Sequence, residues 1–187
     1  MKNRVRKYIN TLIEHLNNID QNQITDVYEV LKEARDNGST IFICGNGGTS
    51  ATASHFTGDL IKGASYNKDK RFKVICLNDN IPALSAYSND VSYEVAYVEQ
   101  LKNFLQKGDV VIGISGSGNS INILNVINFA NENSAKTVSI VGFENNKLQE
   151  ISNYVIHANC NHMLMAEDIH MIFTHILTSL FMESESC

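Results

Sequence analysis

Two stretches of this 187-residue chain combine glycine with hydroxyl side chains in a way that can hold an anion. Cys44-Gly45-Asn46-Gly47-Gly48-Thr49-Ser50 and Ile114-Ser115-Gly116-Ser117-Gly118-Asn119-Ser120 each follow an apolar run and precede a helical pattern. Glycine lets backbone N–H groups approach an anion, a helix N-terminus adds favourable partial charge, and Ser and Thr hydroxyls donate further hydrogen bonds. A phosphate can be held this way without lysine or arginine. Neither loop is the dinucleotide fingerprint: after Gly45 and Gly47 the third position is Ser50, and after Gly116 and Gly118 it is Ile121. A Walker A lysine is also missing from both. One such loop would serve equally well as a tight turn with a helix cap; two in one sheet favour a ligand.

Ionisable groups accompany the loops. His55 and Asp59 lie four apart on the helix that follows the first loop, so both project from one face, a spacing that suits a shared metal ion or a proton relay as well as an exposed polar pair. Near the C-terminus, Glu167-Asp168-Ile169-His170-Met171-Ile172-Phe173-Thr174-His175 sets carboxylates and imidazoles in an apolar segment. Polar groups buried there must be paired or they cost free energy. His with carboxylate ligands would suit zinc or a similar divalent ion. His170 alone reads as helix surface or a satisfied core histidine, and His15, His157 and His162 have no constellation around them. Asp90, after a short helix beyond the second strand, is placed to touch a sugar hydroxyl or to cap a helix.

The elements that must position these groups follow from hydrophobic spacing. Apolar residues at three- and four-residue intervals predict helices over 3–19 and 23–36, then 49–62, 92–105, 119–132 and 164–183. Short continuous apolar runs predict strands buried on both faces at 40–44, 72–77, 109–114 and 137–141, with a weaker one at 154–156. Strands alternating with helices imply a parallel sheet covered on both faces, hence an α/β fold with two helices added at the N-terminus. No repeat, low-complexity stretch or linker divides residues 1–187, so a single domain is expected.

Composition removes other classes. The net charge is −5, all 15 Lys and Arg lie between Lys2 and Lys147, and nucleic acid is a poor partner for so acidic a chain. Apolar runs fall far short of the roughly 20 residues of a membrane span. The basic start, Met1-Lys2-Asn3-Arg4-Val5-Arg6-Lys7, lacks the apolar stretch of a secretory signal, and the four cysteines show no CxxC spacing, so a reducing, cytoplasmic setting is expected.

Taken in order, C-G-N-G-G-T-S-A from Cys44, H-F-x-x-D-L from His55, G-I-S-G-S-G-N-S from Gly113 and I-H-M-I-F-T-H-I-L from Ile169 resemble the sugar isomerase (SIS) family, its phosphoheptose isomerase branch above all. The resemblance covers nearly the whole chain. It implies a three-layer α/β/α sandwich around a five-stranded parallel sheet, assembled as a homotetramer with active sites between subunits. It further implies aldose–ketose isomerisation of sedoheptulose 7-phosphate to D-glycero-D-manno-heptose 7-phosphate through an enediol, a step of heptose biosynthesis. By position, Asp59 becomes the base and His175, from a neighbouring subunit, the acid. Zinc would fall to His55, Asp59, Glu167 and His175. Substrate contacts would fall to Asn46, Gly47, Gly48, Thr49, Asp90, Ser115, Gly116, Ser117, Ser120 and Glu167.

The chain departs from the family where the sugar should lie. Asp59 stands for a glutamate, Glu167 for a glutamine, Leu164 for an aspartate and Gly63 for an arginine, while Thr52 and Ser54 replace Asp and Gln. Two carboxylates and two imidazoles survive the exchange. These departures keep two alternatives open: a phosphosugar-binding regulator or replication-initiator-associated adaptor without catalysis, and an isomerase for another phosphosugar.

Overall fold

The computed structural model describes residues 1–183; Cys187 lies outside the described residues. Two helices come first, α1 (Lys2–Asn17) and α2 (Gln21–Asn37), the second capped by Asp20 and closed by Gly38 in the left-handed region. Strand β1 (Thr40–Gly45) leads to α3 (Gly48–Gly58), and β2 (Lys73–Cys76) leads to α4 (Ile81–Asp90) and α5 (Ala96–Leu101). Then come β3 (Val110–Ser115), α6 (Ile121–Glu132), β4 (Lys136–Val141), α7 (Lys147–Ile151), β5 (Tyr154–His157) and α8 (Met163–Glu183). The five strands form one parallel sheet in the order β2-β1-β3-β4-β5.

The continuous apolar runs are explained by burial on both faces. In β1, Ile41 and Ile43 enter a core with α2, α3 and α8, while Phe42 and Cys44 enter a second core with α5 and α6. β3 divides in the same way, Val110, Ile112 and Ile114 against Val111. These layers make the three-layer sandwich, and the central strands carry no exposed residue.

Several expected boundaries shift. The helix expected over 92–105 is reduced to Ala96–Leu101, because the chain beyond it tightens into turns bonded three residues apart, from Asn103 N–H to Gln100 O and from Phe104 N–H to Leu101 O. The helix expected over 49–62 is α-helical only to Gly58 and continues as a π turn over Asp59–Gly63, with Ala64 N–H bonded to Asp59 O at 2.9 Å. On α1, Tyr8, Leu12 and Leu16 pack on the core, and the Tyr8 hydroxyl donates to Asp168 on α8 at 2.6 Å. Val5, Ile9 and Ile13, expected on the same buried face, are each about half exposed (56%, 50% and 49%).

His170 is fully buried, yet neither ring nitrogen has a hydrogen-bond partner among the described residues, so it is neither of the two expected, helix surface or a satisfied core histidine. Desolvation pushes its pKa down to about 4, and His157 adds to the effect; the Val141 backbone opposes it without a hydrogen bond of normal geometry. An unfolded histidine titrates near 6.5, so between about pH 6.5 and 4 the unfolded chain binds the extra proton and stability falls as pH falls. The difference amounts to about 3 kcal/mol across that window. Denaturant titrations of the native chain and of His170→Leu at pH 7 and pH 5 should show a smaller acid loss in the variant. Equal losses would remove His170 as the cause.

Candidate active site

Strands β1 and β3 are neighbours, with Gly45 in register with Ile114, so the two glycine-rich loops leave the sheet side by side. From β1 the chain crosses through α3 to β2 on one side; from β3 it crosses through α6 to β4 on the other. α3 packs in one core and α6 in the opposite one. Two helices diverging from adjacent strand ends open the crevice where parallel sheets bind ligands.

The first loop is held rigidly. A Cβ on Gly45 would lie 2.5 Å from the Thr49 carbonyl oxygen, a close backbone approach that excludes any side chain. Thr49 is buried, and its hydroxyl accepts from Asn46 N–H and reaches the Asn46 and Ile114 carbonyls, all within 3.0 Å. That hydroxyl therefore shapes the loop. Asn46 and Asn122 exchange paired side-chain bonds of 2.9 Å, and the Tyr93 hydroxyl donates to Asn46 Oδ1 at 2.7 Å. Asn78 and Tyr97 close the network on Gly45, and burial pushes the Tyr97 phenol well above its ordinary pKa. Sequence spacing missed Asn78, Tyr93, Tyr97 and Asn122. Only Asn122, two residues after Ser120 in the first turn of α6, carried a local signal.

The second loop gathers three serine hydroxyls. Ser115 and Ser120 hydroxyls meet at 3.1 Å, and Ser115 Oγ also accepts from Gly118 N–H. Ser117 Oγ accepts from Asn119 N–H, and the first turn of α6 contains no acidic residue. Ser120, at the N-cap, spends no side-chain bond on its own helix. The Gly116 carbonyl ties the loop to Gly142 and Phe143 beyond β4.

Beyond these loops, α3 and α8 bring three expected residues together. His55 Nε2 lies 3.1 Å from His175 Nε2 and 3.3 Å from Asp59 Oδ2, and His175 Nε2 is 3.8 Å from the same oxygen. His55 and Asp59 share a face as their spacing predicted. All three belong to one chain, so the chain's own His175 reaches the group without a neighbouring subunit. They line a cavity of about 350 Å³ with Lys62, Ser179 and Met182, of which the sequence reading named none. A larger cavity of about 590 Å³, between α1 and the connection from β5 to α8, lies away from this group.

The three atoms fit a divalent cation. Tetrahedral bonds of about 2.0–2.1 Å place ligand atoms about 3.3 Å apart, within the range observed. Two imidazoles and one carboxylate with a fourth position open form the donor set of a catalytic zinc site. Glu167 does not join them among the described residues. A Cβ placed on Gly48 would lie 2.5 Å from its Cδ and both carboxylate oxygens, so Glu167 sits against the first loop instead. The physical reason is its placement: its carboxylate lies against Gly48 at the start of α3, whereas His55 and Asp59 lie seven and eleven residues further along the chain. Asp90 ends α4, exposed, accepting from the Asn89 side chain; it caps no helix.

The SIS domain family model matches residues 6–142. The phosphoheptose isomerase of a Nitratiruptor species is 33% identical over 153 residues, covering 81% of each chain. That of Helicobacter pylori (strain ATCC 700392 / 26695) is 34% identical over 157 residues, 84% of this chain and 81% of the relative. The solved phosphoheptose isomerase of Neisseria gonorrhoeae superposes with a TM-score of 0.88 at 22% identity, over 96% of this chain and 97% of that one. With its parallel five-stranded sheet, its paired loops and these relatives, the chain belongs to the SIS domain family, among the phosphoheptose isomerases.

Proposed function

We propose that this protein is an aldose–ketose isomerase that converts sedoheptulose 7-phosphate to D-glycero-D-manno-heptose 7-phosphate in heptose biosynthesis. The observation that carries this reading is the pairing of a hydroxyl-lined anion loop at the sheet's switch point with the His55, Asp59 and His175 group on the helices beside it. The names of the relatives support the choice of substrate. Residues 1–187 act as one unit, which we assign to the cytoplasm.

The phosphate rests on the second loop, where Ser115, Ser117 and Ser120 hydroxyls and the N-terminus of α6 face it without a carboxylate in the helix's first turn. Asn46, Gly47, Gly48 and Thr49 form the wall along which the sugar lies, with Asp90 and Glu167 as hydroxyl acceptors. Asp59 takes a proton from C1 of the ketose and returns it to C2, passing through an enediol. His175 gives a proton to the C2 oxygen and receives one from the C1 hydroxyl, so the reaction balances without an external donor. His55 holds Asp59 in position. These residues, His55, Asp59 and His175, would also hold zinc, which polarises a carbonyl and stabilises developing negative charge.

The exposed stripe of Val5, Ile9 and Ile13 on α1 supports self-assembly, and we assign the homotetramer to the functional form.

Three measurements test this. In deuterated water, sedoheptulose 7-phosphate with the zinc-supplemented protein should yield heptose phosphate carrying deuterium at C2; a folded protein that leaves the ketose unchanged would overturn the assignment. His175→Ala and Asp59→Asn should each lower kcat by about 10²-fold or more while inorganic phosphate still binds. Prolonged chelation should abolish turnover and zinc should restore it, with metal content followed by mass spectrometry.

A further inference from the structure

The cavity of about 590 Å³ between α1 and the connection from β5 to α8 takes no part in the isomerase reading. It shares no lining residue with the cavity of His55, Asp59 and His175, and neither glycine-rich loop reaches it. Its volume falls within the roughly 300–1,000 Å³ of small-molecule sites. The half-buried Tyr8 and Thr11 and the buried Cys160 and Met165 give it an apolar wall.

Charge is set beside that wall. Arg4 and Lys7 line the cavity, both exposed, and neither makes an ion pair among the described residues. Four of the chain's 15 Lys and Arg are Lys2, Arg4, Arg6 and Lys7, and no acidic residue precedes Glu14, so α1 has nothing to neutralise them locally. A cation in the first turn of a helix opposes the macrodipole, so Arg4 is not there for the helix's own stability. His15 lines the cavity as well, and His162 Nδ1 accepts from Met165 N–H at 3.4 Å, which leaves its Nε2–H to donate. Glu144 is the one carboxylate among the lining residues; it is exposed, makes no ion pair among the described residues, and stands with the amides of Asn159 and Asn161.

Three chemistries therefore meet in one cavity. Arg4 and Lys7 suit a phosphate, a carboxylate with two amides suits vicinal hydroxyls, and an apolar wall carrying the Tyr8 ring suits a flat aromatic base. A bare sugar phosphate would leave the wall uncovered, and an apolar ligand would leave both cations unpaired. Self-assembly does not close the cavity: at about 100° per residue, Arg4, Lys7, Thr11 and His15 centre roughly 150° around α1 from the exposed Val5, Ile9 and Ile13.

We infer that this cavity is a second binding site and that its ligand is a nucleoside phosphate, with phosphate on Arg4 and Lys7, ribose on Glu144 and the asparagines, and the base against Tyr8 and Met165. The ligand bridges α1 to the start of α8, where the Tyr8 hydroxyl already donates to Asp168. The inference goes beyond the isomerase reading and does not depend on it.

Calorimetric titration of the full chain with ADP and with UDP tests it. At least one of them should bind once per chain with Kd below about 1 mM, weakening as salt is raised. Adenosine, uridine and inorganic phosphate should each bind at least about tenfold more weakly, because each offers only part of the contact. The double variant Arg4→Ala, Lys7→Ala changes exposed side chains only and should lose at least about tenfold in affinity, whereas Ser115→Ala with Ser120→Ala should bind as the native chain does. Failure of both nucleotides to bind would overturn the inference, and so would inorganic phosphate binding as tightly as ADP, which would make this a plain anion site. Binding lost in the serine variant and kept in the Arg4, Lys7 variant would place the nucleotide on the loops instead. If neither nucleotide binds and the Arg4, Lys7 variant changes the assembled size in sedimentation, the cavity is a contact for a second copy of the chain and the inference falls.

Discussion

Everything in this site depends on two parallel strands ending side by side while their crossover connections leave for opposite faces of the sheet. Because β1 continues toward β2 and β3 toward β4, α3 and α6 cannot close over the strand ends, and a crevice remains. Both helices begin beside it. The polar network from Asn78 through Tyr97, Asn46 and Asn122 links the two sides, so the loops are held as one rigid platform.

α8 supplies the second constraint. A single 21-residue helix touches Gly116 through Met163, Gly48 through Glu167 and His55 through His175. Its other face is anchored in the core by Ile169, Phe173, Leu177 and Phe181. Burial of those side chains contributes roughly 1.5–3 kcal/mol each, and it fixes the rotation of the helix on which the polar residues depend. Tyr8 pins the same helix from α1 through Asp168, whose carboxylate pushes the phenol up to about 12.

Much of this was legible in the residues because local pattern and tertiary role coincide. Runs such as Val110 to Ile114 can hardly be anything but central strands, and Gly45 and Gly118 mark turns that no other residue fits as well. The pairing of His55 with Asp59 follows from helical geometry, and both lie where four-residue spacing puts them. The meeting of His55 with His175 is different. They are 120 residues apart, and only the packing of α3 on α8 decides that their rings touch. The same packing sends Glu167 to Gly48 and away from the cation ligands, which composition cannot convey. Tyr93 and Tyr97 were invisible for a related reason: each acts through a partner distant in sequence.

The π turn at Asp59 has a consequence for how this helix tolerates change. A turn closed five residues back contains one residue more than an α-helix requires, so positions before and after it are out of phase by about 100° on a helical wheel. Removing one residue between Asp59 and Gly63 would let the segment relax into regular α-helix, leaving His55 in place while rotating everything downstream. The surplus residue is therefore a register setting that a length change can erase and a point substitution cannot.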